Sequence, residues 1–447
     1  MYVASFLVHD SRSCCAFAHV CRQFCGVARE VFDPGPSFRH ACRRGYTDIV
    51  RHFLTDHRFD PSASANDALR SSSEKGYTEI VGLLLADGRV DPTAWYNHAI
   101  RRSSENGHTD VVKLLLADGR ADPTALNNYA IQLSSRDGHT EVVKLLLADQ
   151  RVDPTAGNNY AIRRSSENGH PDVVKLLLAD GRADPAADDN FAIRLSSAEG
   201  YSEVVKMLLA DGRVDPAADD NYAIRMSCKK GHADIVQLLL ADTRDDPTAK
   251  NNYAIRMSSQ SGHADVVKLL LADGRVDPAA KDNGAILLSS RNGHADVVQL
   301  LLADPRVDPT ANTNHVIQAT SRNGHADVVQ LLLADPRVDP TANNNHAIQA
   351  SSLSGDADVV QLLLADPRVD PTANNNHAIQ ASSLMGHADV VQLLLADGRP
   401  DPTTCDNYAI RMSSLMGHAD VVQLLLADGR VDPTSEQQPC DFVPLTS

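Results

Sequence analysis

The sequence predicts an all-α fold, a solenoid of short helix pairs. Three observations carry this. An Asp-Pro dipeptide recurs with its proline at 61, 92, 123 and every 31 residues thereafter to 433, and a glycine keeps the same step thirteen times from Gly45 to Gly417. A fixed period of this length is the signature of stacked supersecondary units. Aromatic residues make up only 4% of a chain that is 43% hydrophobic, so its apolar content is mainly aliphatic, suited to thin helical layers. No predicted helix exceeds about ten residues, too short to be stable alone, so each pair must bury its apolar stripe against its neighbours.

Residues 91–121 serve as the type unit. A first helix is expected from His98 to about Glu105, with Asn97 before it. Asn holds that position in twelve copies, from Asn66 to Asn407, and is expected to cap the free amides of the first turn. Gly107 ends the helix. A second helix is expected from Thr109 to Ala117, with Asp110 favourable to its dipole and Val111, Val112, Leu115 and Leu116 at helical spacing. Pro171 takes the Thr109 position in one copy, which suits a first helical residue. The remainder is a loop containing Asp-Pro. After Ala-Asp, that loop continues with Gly in seven copies but with Pro at 305, 336 and 367. Since Pro cannot take positive φ, either the glycines need no left-handed conformation or the proline copies close differently.

The segment from Tyr160 to Gly181 resembles an ankyrin repeat. Its Gly-His turn and Val-Val-Lys-Leu-Leu-Leu helix match the family pattern closely. The family's Thr-Pro-Leu-His reads Tyr-Ala-Ile-Arg here, and its Ala-Ala reads Ser-Ser. The resemblance implies an ankyrin-type solenoid over residues 33–433, with the family's β-finger shortened to an Asp-Pro loop. It also implies a non-catalytic scaffold that meets a protein partner on its finger tips and concave side.

Residues 1–32 differ from the repeats. Within them Phe17, Val20, Cys21 and Phe24 lie at helical spacing, and the run from Phe17 to Phe24 resembles the second half of an F-box. That resemblance implies docking on the adaptor subunit of a cullin-type ubiquitin ligase, although the first F-box helix is missing. The alternative is a helix that merely caps the first repeat. Residues 434–447 read as a polar tail.

Composition narrows the partners. The formal charge is −16, from 42 basic and 58 acidic residues, which argues against nucleic acid. The longest apolar run, Val111 to Ala117, is far short of a membrane span, and the apolar Met1–Val8 is too short for a signal peptide. Eight cysteines, five of them before residue 43, form no disulfide framework, so a reducing, cytoplasmic setting is expected.

Candidate chemistry is sparse, and no phosphate loop, zinc-protease motif or nucleophile elbow appears. Ser103 and Ser104 recur as a pair, expected to be close-packing residues rather than nucleophiles. The ladder of His108, His139, His170 and their equivalents cannot share a zinc ion at rungs about 10 Å apart. It is expected to bond within its own turn. Arg101, Arg163 and their equivalents, with Gln at 132, 318, 349 and 380, are expected to pair with neighbouring Asp; the competing role is a track for an acidic ligand. Cys14, Cys15, Cys21 and Cys25 with His19 lack a second knuckle and are not expected to bind metal. No cofactor is expected.

The partner surface is sought where copies differ. The pair before the conserved glycine is polar in Glu105-Asn106 and Lys229-Lys230. It turns apolar in Leu353-Ser354, Leu384-Met385 and Leu415-Met416. Leu353, Leu384, Met385, Leu415 and Met416 are therefore expected to form an exposed binding patch. Trp95, Tyr96 and Leu126, at finger positions that are Asn or Asp elsewhere, are expected to form a second. Cover by the tail 434–447 is the alternative for the first.

Overall fold

The computed structural model describes residues 34–56 and 60–431. They form 26 helices, from Pro34–Arg44 to Ala419–Asp428, and no strand is present among them. The residues divide into two units, Met1–Ala218 and Asp219–Ser447. Within each unit the first helix of a repeat packs on the first helices of its neighbours, and second helices pack likewise on second helices. The core is one thin layer. In a typical repeat it comprises Ala99 and Ile100 from the first helix, Val111, Val112 and Leu115 from the second, and Ala121 from the loop.

The second helix runs as its sequence predicts, Thr109–Asp118 in the type unit. The first is Ala94–Glu105, but Trp95, Tyr96 and Asn97 within it have φ of 54°, 56° and 57°, so the right-handed helix begins at His98. A single left-handed turn of three residues therefore precedes it, and twelve repeats carry one, from Ser64–Asn66 to Cys405–Asn407. The last residue of that turn is always Asn, and the second is usually Asn or Asp, side chains that tolerate this conformation best.

The proline copies do close differently. After Thr109–Asp118 the cap is Gly119, left-handed at φ 77°. Ala326–Ala334 ends one residue sooner, and Asp335 turns extended at ψ 118° ahead of Pro336, a conformation that suits a residue before proline. Asp149 and Asp242, ahead of Gln150 and Thr243, take it too, so it is the closure used where glycine is absent. Both routes arrive at the same contact. Arg120 and Arg337 each bond in fork fashion to the Asp two residues before them, and each Nη1 donates to a carbonyl of the preceding repeat, Val90 or Val307, at 2.9 Å.

Candidate functional site

Three recurring polar contacts hold the variable surface in place, and each corrects an expectation. Asn97 does not cap its own helix. Its Oδ1 accepts the amide of Asp122 in the next repeat at 2.7 Å, and the contact recurs from Asn66 to Asn376. His108 does not bond within its own turn either. Nε2 donates to the carbonyl of Glu74, in the preceding repeat, at 3.0 Å. The carbonyl acceptor fixes the proton on Nε2. The Arg and Gln column bonds mainly to backbone rather than to Asp. Arg101 Nε donates to the carbonyl of Tyr96 at 2.7 Å, and Gln132 donates to that of Asn127 at 2.6 Å. A left-handed turn leaves such carbonyls without helical partners, and a long donor five residues on supplies one. The expected pairing with Asp is met in part: Arg70, Arg163 and Arg411 add ion pairs to Asp67, Asp188 and Asp406.

Asp-Pro shapes the loop before the turn. Asp91 Oδ1 accepts from both the amide and the hydroxyl of Thr93, at 2.8 and 2.7 Å, a tight local turn. The left-handed turns thus stand on fixed bases, with their first two residues toward solvent.

Seven large apolar side chains are exposed among the described residues: Trp95, Tyr96, Leu126, Met385, Leu415, Met416 and Leu426. The first six stand at positions that copy-to-copy variation marks. In the first unit, Tyr96 is 75% exposed, and Trp95 carries the Arg70 guanidinium 4.2 Å from its ring centroid. In the second, Leu415 is 76% exposed. Leu353 and Leu384 depart from expectation, being only half-buried rather than fully exposed. The next repeat closes over them, and their carbonyls accept from His387 and His418 at 3.0 Å. Leu415 lies on the last described repeat and has no such cover.

The family model described as ankyrin repeats (3 copies) matches at residues 98–189, 191–282, 255–345, 286–375 and 347–437. This chain belongs to the ankyrin repeat family. A solved ankyrin repeat domain from Acinetobacter baumannii AYE is 22% identical, with a TM-score of 0.34, over 40% of this chain and 99% of that one. No curated protein matches the sequence.

Ankyrin repeats are generally protein–protein interaction modules, and the remaining side chains here are consistent with packing. Both serines of the pair are buried. Ser103 Oγ donates to the Ile100 carbonyl, whereas Ser104 Oγ has no partner. Cys228 takes the second serine position, fully buried, and burial raises its thiol well above the ordinary range. Burial also lowers His98, His346 and His377, keeping them neutral. Among the described residues no group of three or more His, Cys, Asp or Glu is placed to hold a metal ion. No helix among them is long and apolar enough to cross a membrane. Phe17, Val20, Cys21 and Phe24, the cysteines around His19 and the tail 434–447 lie outside the described residues.

Proposed function

We propose that this ankyrin repeat chain is a non-catalytic scaffold that holds a protein partner on its exposed apolar positions, principally Met385, Leu415 and Met416, flanked by Leu353 and Leu384. Trp95, Tyr96 and Leu126 form a second contact surface on the other unit. The observation that carries the reading is a coincidence. Of the seven large apolar side chains that meet solvent among the described residues, six stand at positions where other copies are polar, and such patches mark interaction sites. Photo-crosslinking residues placed at 416 and at 96 should yield defined adducts with a protein partner, whereas the same residue at exposed Lys113 on a second helix should not. Equal adducts from all three sites would remove the assignment.

A second reading is favoured by the Phe17–Phe24 run: delivery of the bound protein to a cullin-type ubiquitin ligase. The full chain should then retain the ligase adaptor, and Phe17→Ala with Phe24→Ala should release it. No retention by the unmodified chain would rule delivery out.

A further inference from the structure

We infer that the Asp219–Ser447 unit carries an oxyanion pocket that receives an acidic or phosphorylated side chain of the protein partner. Elsewhere in the repeats an arginine of one first helix lies beside an aromatic ring of the next, as Arg225 lies 5.5 Å from the ring centre of Tyr253. At the corresponding place in the following repeats the pair is Leu287 and His315. Leu287 can neither reach across nor bond to the turn, and a cleft of about 360 Å³ opens there. Arg291, His315, Gln318, Arg322 and His346 line it, and no carboxylate does.

Its two arginines are unlike their counterpart. Arg136, at the same repeat position, is held in fork fashion by Asp137 at 2.7 and 2.8 Å. Arg291 and Arg322 are each followed by a neutral residue, Asn292 and Asn323, and neither guanidinium is in an ion pair with a described residue. Both are exposed side chains on fixed backbone. Asn323 and His325 donate to the Arg291 carbonyl at 2.8 and 2.9 Å, and Ser354 donates to that of Arg322 at 2.9 Å. Two unneutralised guanidinium groups in one cleft, on a chain of net charge −16, form a receptor for a planar or tetrahedral oxyanion.

The pocket continues into the apolar column. Leu353, Leu384 and Leu415 hold the register position of Arg291 and Arg322 in the next three repeats. Rungs about 8–10 Å apart correspond to roughly three residues of extended peptide each. The partner segment therefore carries apolar side chains about six to nine residues from its oxyanion. The spacing of that motif rests on the partner surface proposed above; the pocket itself does not.

The test is fluorescence anisotropy on the full chain near physiological salt. The labelled Gly/Ser-rich peptide has phosphoserine near one end and two leucines about six and nine residues on; serine or glutamate replaces the phosphoserine in companion peptides. The phosphoserine peptide should bind about tenfold more tightly than the serine peptide, and Arg291→Gln with Arg322→Gln should erase that ratio. Glutamate matching phosphoserine would support a carboxylate as the natural group. A ratio near one, or one that survives the double substitution, overturns the pocket. In Met385→Asn/Leu415→Asn/Met416→Asn, affinity for all three peptides should fall while the ratio persists. Unchanged affinity there would sink the apolar surface and leave the pocket standing.

Discussion

The imidazole of His139 lies over Gly107 of the preceding repeat, so close that a Cβ on the glycine would come within 2.5 Å of Nδ1. The same histidine donates from Nε2 to the Glu105 carbonyl at 2.8 Å. Glycine and histidine are thus a single inter-repeat clasp, and the glycine answers two demands at once, a φ of 73° and a ring above it.

Gly107→Ala should therefore cost more than left-handed strain alone. Gly417 has φ 80°, and a methyl group on its Cα would meet nothing within 4 Å, so Gly417→Ala isolates the strain, about 1 kcal/mol. Gly107→Ala should lower stability by about 2–4 kcal/mol. Denaturant midpoints compare them; equal losses would remove the clasp.

The unpartnered Ser104 hydroxyl makes the opposite prediction. Ser104→Ala removes a buried, unsatisfied group and improves helix propensity, so it should be neutral or stabilise by up to about 1 kcal/mol. Ser103→Ala, which loses the bond to Ile100, should gain less. Thermal unfolding of the two variants decides it.

Asn97 combines a left-handed backbone with the bond to Asp122. Asn97→Gly keeps the conformation and loses only the bond, while Asn97→Ala loses both. The expected order of stability is wild type, then Gly, then Ala, the last down by about 1–3 kcal/mol. Alanine matching glycine would show that the turn carries no strain.

Asp356 stands where nine other copies have histidine and three have tyrosine. One of its carboxylate oxygens is buried without a partner, and burial raises its pKa. Asp356→His should restore the clasp over Gly324 and raise the unfolding midpoint, most clearly at pH values where the native carboxylate is ionised. A lower midpoint would mean that Ser354, already bonded to the Arg322 carbonyl, leaves no room for the ring.

Acid should unfold the repeats in two stages. Burial lowers the pKa of His98, His346 and His377, so stability that is full above the ordinary histidine range near pH 6.5 declines as pH falls through it. The forked arginine holds Asp118, Asp180 and Asp335 below the usual carboxylate range. That contribution is intact above about pH 4 and is lost as pH falls through the lower folded values. Midpoints measured from pH 8 to 2 should show both declines; a flat profile down to pH 3 would contradict the assignment.

Much of the fold is legible in the sequence, for a physical reason. Val111, Val112 and Leu115 face the core because helical periodicity and burial are both local, and His98 begins the right-handed helix where the pattern begins. The clasps are not legible. His108 meets Glu74 thirty-four residues upstream, a relation visible only once neighbouring repeats are stacked. The left-handed turn escapes a reading of one repeat because Asn favours helix caps and positive φ alike. The run Asn343-Asn344-Asn345 is its available signal, since a cap needs one Asn and a left-handed turn favours several. The exposed Met385 and Leu415 are legible because repeats supply their own comparison. Leu384 is less exposed than its register suggests because its cover comes from the following repeat.

The central claim is that the apolar residues before the repeat glycine serve binding rather than folding. The most direct measurement pairs the unfolding midpoint with partner retention for Met385→Asn/Leu415→Asn/Met416→Asn, beside the half-buried Leu384→Asn. The triple variant should keep its midpoint within about 0.5 kcal/mol of wild type and lose its partner, while Leu384→Asn should be measurably destabilised. A triple variant that unfolds early, or that retains its partner undiminished, would contradict the account.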